Sequence, residues 1–272
     1  MRGRWEAVPY NMGRSTERRE VPVRIRFHDE SIVDFADLVC SYPKHEFASP
    51  RLSTVPLLAF WADAELRFRA LATYTGLDPS VPVSFCFEYP VHVQQGEGKA
   101  SFTDLMIISS SFAVAIEGKY TEPAYETVEE WLSKPDKQNR KKVLAGWLFL
   151  IHRATGIDLE AARVAKYPYQ LIHRTASACY PQVKRRWIIY QLFSKSVPCY
   201  YLEQLSGMQR LLGSQQSLSF GVLLSPPRGS AGYSKLEARW EAGERDLSTD
   251  VSTRLLSGGL FEFFDVQFVK AD

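Results

Sequence analysis

Phe112-Ala113-Val114-Ala115-Ile116-Glu117-Gly118-Lys119-Tyr120 is the stretch on which the reading of this chain turns. Its β-branched and aromatic residues predict a strand. Side chains alternate faces along a strand, so Glu117 and Lys119 share one face with Ala113 and Ala115, while Val114, Ile116 and Tyr120 take the other. A strand that is apolar on one face and lined with small residues on the other reads as interior. A carboxylate and an ammonium are costly to desolvate there unless something compensates them. A divalent cation compensates carboxylates well, because hard cations take oxygen ligands.

Reading outward, Ala100 to Ser109 predicts a second strand, in which Asp104 is the one charged residue among apolar neighbours. A tight hairpin near Ser109 to Ser111 would set Asp104 opposite the 117–119 region. The register of that hairpin decides whether the faces agree, since a slip of one residue inverts them. Val81 to Val93 is a further strand-like run, joined to the second by a turn at residues 94–99, so the three read as an antiparallel meander. Before it, Ser53 to Thr75 has helical periodicity, with Ser53 or Thr54 as N-cap, Pro56 in the first turn and Gly76 at the end. After it, residues 126–156 read as helical with a break at Pro135, and Pro168 to Tyr180 as a further helix. Trp187 to Phe193 reads as a hydrophobic strand. Helix, three strands, helix, helix, strand is the order of an α/β sandwich around a mixed sheet. The expectation is a single domain with its core at about 53–193. An N-terminal extension, 1–52, would hold a short strand at Val21 to Phe27 and a helix at Ser31 to Val39. The C-terminal extension, 194–272, reads as β-rich, with strands at Leu218 to Leu224 and Leu260 to Val269.

An acid on each of two paired strands, with a lysine two residues beyond the second, is what hydrolytic phosphate chemistry needs. Carboxylates hold a metal ion that polarises a phosphoryl oxygen and acidifies a bound water. The lysine positions that water or offsets charge building up in the transition state. The pattern Thr103-Asp104, then Glu117-Gly118-Lys119, preceded by a helix carrying an inward glutamate, resembles the PD-(D/E)XK nuclease superfamily across roughly residues 53–193. Thr103 stands where the family name has proline. The resemblance implies a restriction-endonuclease-like core, Mg²⁺ as cofactor with Mn²⁺ able to substitute, and nucleic acid, DNA foremost, as partner. It implies Asp104, Glu117 and the Gly118 carbonyl as metal ligands and Lys119 as the residue acting at the nucleophile. It also implies a bacterial or phage setting such as restriction, defence or DNA processing.

Supporting candidates follow from periodicity and from the same resemblance. Glu65 has Leu58, Trp61, Ala62, Phe68 and Ala72 at helical spacing and so faces the apolar stripe, with Arg69 as its one polar neighbour. Members of the superfamily often bring such a helix glutamate to the metal, which makes Glu65 the third acid; the alternative is a buried Glu65–Arg69 pair. Glu88, alone in an aromatic strand, competes for the role, although an edge strand before Pro90 would leave it wet. Gln170, His173, Arg174 and Ser177 share one helix face, and Tyr169-Gln170-Leu171 resembles the helix that places a glutamine near the site in RecB-like members. Those members often have tyrosine where Arg174 stands. His173 reads as part of a partly exposed polar face. Glu97-Gly98-Lys99 and Asp136-Lys137 repeat the motif's letters but fall in polar turns.

Composition sets the outer bounds. The chain has 272 residues, 45% apolar and 24% charged, with a net charge of +2, so any nucleic-acid surface must be local. Basic clusters occur at Arg2, Arg4, Arg14, Arg18, Arg19, Arg24 and Arg26, at Lys134, Lys137, Arg140, Lys141 and Lys142, and at Lys184, Arg185 and Arg186. Cys40, Cys86, Cys179 and Cys199 lack ligand spacing, and three of them sit in apolar surroundings suited to reduced core thiols. The arginine-rich opening does not read as a secretory leader, and no apolar run reaches the roughly 18 residues of a membrane span. A cytoplasmic nuclease is the expectation. The rivals are an inactive nuclease-fold module that binds nucleic acid or protein, and a structural protein in which Glu117 and Lys119 form an ordinary ion pair.

Overall fold

The structure is a computed structural model that describes residues 23–93, 95–97, 100–123, 125–213 and 217–271. Arg2, Arg4, Arg14, Arg18 and Arg19, and the Gly98-Lys99 part of the motif repeat, lie outside the described residues.

The meander forms as the alternation predicts. Strands β3 (Val83–Val91), β4 (Ser101–Ile108) and β5 (Phe112–Lys119) are antiparallel neighbours, and Leu105 pairs with Ile116 and Ile107 with Val114. β6 (Arg185–Leu192) lies parallel to β5, and β7 (Leu218–Leu224) parallel to β6. β1 (Val23–Phe27) runs parallel to β3 and pairs with β2 (Glu30–Ile32). With β10 (Gln267–Lys270) on the far edge, the sheet has eight strands in the order β10-β7-β6-β5-β4-β3-β1-β2. β8 (Arg228–Gly229) and β9 (Phe261–Glu262) form a separate two-stranded ribbon.

Helices cover both faces, giving an α/β fold with a central mixed sheet. One face carries α1 (Phe35–Ser41), α2 (Thr54–Trp61), α3 (Ala64–Thr75), α9 (Ala231–Glu241) and α10 (Ser248–Leu256), packed on Phe85, Leu105, Ile107, Val114 and Ile116. The other carries α4 (Val128–Ser133), α5 (Lys137–Thr155), α6 (Ala161–Val164), α7 (Tyr169–Cys179) and α8 (Cys199–Leu211), packed on Met106, Ala113, Ala115 and Ile188. The small side chains of Ala113 and Ala115 let α7 lie close to β5. No helix among the described residues is long and apolar enough to cross a membrane.

Several elements differ from the reading of the sequence. The Ser53–Thr75 helix is two helices, because Asp63 leaves helical geometry and caps α3, accepting from the Leu66 N–H. The helix expected at Ser31–Val39 begins later. Glu30–Ile32 pair instead with β1, and Asp34 caps α1 by accepting from the Asp37 N–H. The C-terminal third is not β-rich. It supplies two strands to the main sheet and three helices, of which α9 starts at a Ser230 cap that accepts from the Tyr233 N–H. β3 is no edge strand, since β1 and β4 flank it. Only Cys86 and Cys179 are buried; Cys40 and Cys199 are exposed.

Phe85, fully buried, meets the rings of Trp61 and Phe68 at centroid distances of 5.8 and 6.0 Å, so it joins α2 and α3 to the sheet. Phe85→Ala is expected to lower the unfolding free energy by about 3–5 kcal/mol in urea denaturation. A loss below about 1 kcal/mol would contradict this packing.

Candidate active site

The parity of the core fixes where the charged side chains go. Leu105 and Ile107 face the α2–α3 layer and Met106 the α7 layer, so Asp104 lies on the α7 face. On β5, Phe112, Val114 and Ile116 face α2–α3 while Ala113 and Ala115 face α7, which places Glu117 and Lys119 with Asp104. The hairpin register is therefore the one that brings the motif together. The ladder between β4 and β5 is continuous to Leu105–Ile116, and beyond it the Gly118 N–H donates to Asp104 Oδ2 at 2.8 Å. The Lys119 carbonyl serves β6, accepting from the Phe193 N–H. Backbone groups alternate sides along a strand, so the Gly118 carbonyl points towards Asp104.

α7 closes the site from above. Residues 170–179 are all buried, because the helix packs on the sheet below and on α5 beside it. The polar face of Gln170, His173 and Arg174 is thus not partly exposed. It is turned onto the sheet and satisfies the acids there. Glu117, 3% exposed, accepts from Lys119 Nζ at 2.9 Å and from Gln170 Nε2 through Oε1, and from Arg174 Nε through Oε2. Arg174 Nη2 donates to Asp104 Oδ1 at 3.2 Å, so one guanidinium spans both carboxylates. Its Nη1 lies 3.2 Å from His173 Nδ1, which also lies 2.8 Å from Ser101 Oγ. Arg can only donate, so Nδ1 is the acceptor and His173 is neutral, with its proton on Nε2. Arg174 is the residue whose role was missed. The signal available was a run of hydrogen-bonding side chains at helical spacing on a helix otherwise apolar enough to be buried on both sides.

Glu65 is not part of this cluster. It sits on α3, across the sheet, with its side chain 37% exposed, and accepts from Arg69 Nη2 at 2.7 Å. Glu65 projects from the helix face beside the stripe, and helical spacing alone could not say which sheet face α3 covers. Glu88 is the acid at hand. The pairs Phe87–Leu105 and Tyr89–Thr103 set it across from Asp104, in an interior strand and with a backbone φ of 47°. A left-handed glutamate within a strand is strained, and such strain concentrates at functional sites. The remaining pieces of the motif repeat are elsewhere: Glu97 bonds to Asn139 in its turn, and Asp136 is the exposed N-cap of α5.

Electrostatics distinguish the acids. Burial pushes Glu117 up, but the Arg174 and Lys119 charges outweigh it and hold the carboxyl below its usual range. Asp104 is raised well above its usual value by burial and by the Glu117 charge, against the pull of Arg174. Glu88 is raised from 4.5 to about 7 by burial, with Glu46 and Glu117 adding and Arg174 opposing. Burial lowers Lys119, yet Glu117 and Asp104 more than restore it, so its ammonium stays charged. Burial, then Arg174 and Lys119, push His173 well below its usual value, in line with its neutral form. Tyr42, a buried phenol raised by burial and by Glu88, Asp104 and Glu46, has no hydrogen-bond partner among the described residues. The cluster has three acids against two bases, and the two raised acids, Asp104 and Glu88, are pushed towards their protonated forms.

Residues 31–229 match a family described as Domain of unknown function (DUF6946). The chain belongs to this family. No match was found among curated proteins or among solved structures. The DUF6946 span contains Glu88, Asp104, Glu117, Lys119, Gln170 and Arg174, and it reaches from β2 to β8, beyond both ends of the 53–193 core.

Within the DUF6946 chain the donors suit a hard cation: two carboxylates and the Gly118 carbonyl, all oxygen. No group of three or more His, Cys, Asp or Glu side chains among the described residues is disposed to hold a metal ion. The fit is therefore that of two acids and a carbonyl.

Because Glu88 binds its proton more tightly folded than unfolded, it costs stability as pH rises from its unfolded value through about 7. Glu88→Gln removes that loss. In urea denaturation the variant's stability relative to the natural protein is expected to improve between pH 5 and pH 8. A difference independent of pH would contradict the burial of this carboxyl.

Proposed function

We propose that this protein is a metal-dependent phosphodiesterase acting on nucleic acid, DNA foremost, with Asp104, Glu117 and Lys119 as its centre. The observation that carries the reading is that all three side chains lie on one face of the sheet, under one helix, in a single bonded cluster. A slip of one residue in the register of β4 on β5 would have turned Asp104 away from the other two.

In this reading Asp104, Glu117 and the Gly118 carbonyl hold Mg²⁺, with Mn²⁺ able to substitute, and Glu88 takes the place of Glu65 as the nearby further acid. Mg²⁺, when bound, polarises the phosphoryl oxygen and lowers the pKa of a coordinated water. The Lys119 ammonium, kept charged by Glu117 and Asp104, orients the attacking water and offsets the charge gathering on the phosphoryl oxygens. Gln170 fixes the Glu117 carboxylate, since its amide donates to the same oxygen that Lys119 uses. The exposed Lys134, Lys137, Lys141 and Lys142, at the α4–α5 corner, supply backbone contacts that weaken with salt. The setting we infer, restriction, defence or DNA processing in the cytoplasm, rests on the superfamily resemblance.

One observation favours the second reading, a module that binds without turnover: Arg174 already pairs with both carboxylates. Incubation with single- and double-stranded DNA and with RNA, in Mg²⁺ or Mn²⁺, separates the two. The expected result is metal-dependent cleavage, abolished by EDTA and reduced about 10²–10⁴-fold in Lys119→Ala. Binding without cleavage under every metal condition would select the second reading, and cleavage unaffected by the substitution would remove Lys119 from the chemistry.

A further inference from the structure

We propose that Arg174 is a displaceable counter-cation. Its guanidinium occupies the carboxylate edges that a divalent ion takes, and it leaves them for the phosphodiester of an arriving substrate. The inference rests on the phosphodiesterase reading and adds to it an order of events.

Three contacts define the position. Nε donates to Glu117, Nη2 reaches Asp104 Oδ1 at 3.2 Å, and Nη1 lies 3.2 Å from His173 Nδ1. The first two are the acids read as metal ligands. The third is a neutral acceptor, anchored in turn by Ser101. A planar guanidinium is the side chain best suited to bridge two carboxylates, and equally suited to grip a phosphate. Its helix is fixed by burial on both sides, so any movement belongs to the side chain and not to the backbone.

Charge gives the direction. Asp104 and Glu117 lie beside both Lys119 and Arg174, Glu88 lies within reach of the Arg174 charge, and His173 is neutral. Three carboxylates against two cations leave one negative charge when all are ionised. A divalent ion alone would reverse that to one positive charge, in a place where unbalanced charge is costly. A phosphodiester monoanion restores neutrality and offers the guanidinium a new partner. Metal and substrate should therefore each strengthen the binding of the other, as reciprocal coupling requires. Without substrate, Arg174 competes with the metal and keeps the site closed to it.

The test is Mn²⁺ binding to the full chain, followed by the loss of the free-ion electron paramagnetic resonance signal, with no nucleic acid present. Arg174→Gln is expected to bind Mn²⁺ at least about tenfold more tightly than the natural protein, because a buried like charge has gone. Arg174→Lys keeps one charge but cannot span both acids, so it should fall between them, and it decides the matter if the glutamine variant does not fold. Dimethyl phosphate, an uncleaved phosphodiester, should tighten Mn²⁺ binding to the natural protein and have little effect on Arg174→Gln. Equal or weaker Mn²⁺ binding in the variants, with clear binding in the natural protein, would overturn the inference and leave the metal reading standing. Absence of Mn²⁺ binding in all three proteins would overturn both.

Discussion

Glu117 is a carboxylate with almost no contact with water, held by Lys119 from its own strand and by Gln170 and Arg174 from the helix above. Removing one partner from a buried ion pair strands the other charge, at a cost of about 3–5 kcal/mol. That constraint makes the β4–β5 hairpin and α7 interdependent. The small face of β5, Ala113 and Ala115, admits the helix closely enough for Arg174 to reach both Glu117 and Asp104. The large face, Phe112, Val114 and Ile116, anchors the strand in the opposite core. One strand thus positions the charges and fixes the layer that neutralises them.

The cluster is held short of balance. Salt bridges that served stability alone would match acid to base, since uncompensated buried charge is expensive. Instead Asp104 and Glu88 are both pushed towards their protonated forms by burial and by neighbouring carboxylates. Glu88 also keeps a left-handed backbone in the middle of a strand. Strain and perturbed acids concentrate at functional sites, and their coincidence here is what singles out this cluster as the candidate site.

The sequence carried the central sheet well, because alternation in β3, β4 and β5 is strong and the links are short. It also carried the shared face of Glu117 and Lys119, which follows from their spacing of two. The agreement of Asp104 with that face depended on register, and register depends on packing that no local pattern encodes. Glu65 was misplaced for a related reason: helical periodicity identifies an apolar stripe but not the side of the sheet it will cover. Arg174 was hidden because polar residues at helical spacing look like a solvated face. Only tertiary structure reveals a second layer above them. The C-terminal helices are not legible because their caps, such as Ser230, lie in stretches rich in Gly, Ser and Pro, the residues of turns.

Diffraction from crystals soaked in Mn²⁺ and a short phosphodiester, with data collected at an energy where manganese scatters anomalously, tests the account most directly. The predicted result is an anomalous peak between the Asp104 and Glu117 carboxylates, with oxygens at about 2.0–2.2 Å, the range for a small hard cation, and with Arg174 turned away from both acids. A map without such a peak, in which Arg174 still joins the two carboxylates at saturating Mn²⁺, would contradict it.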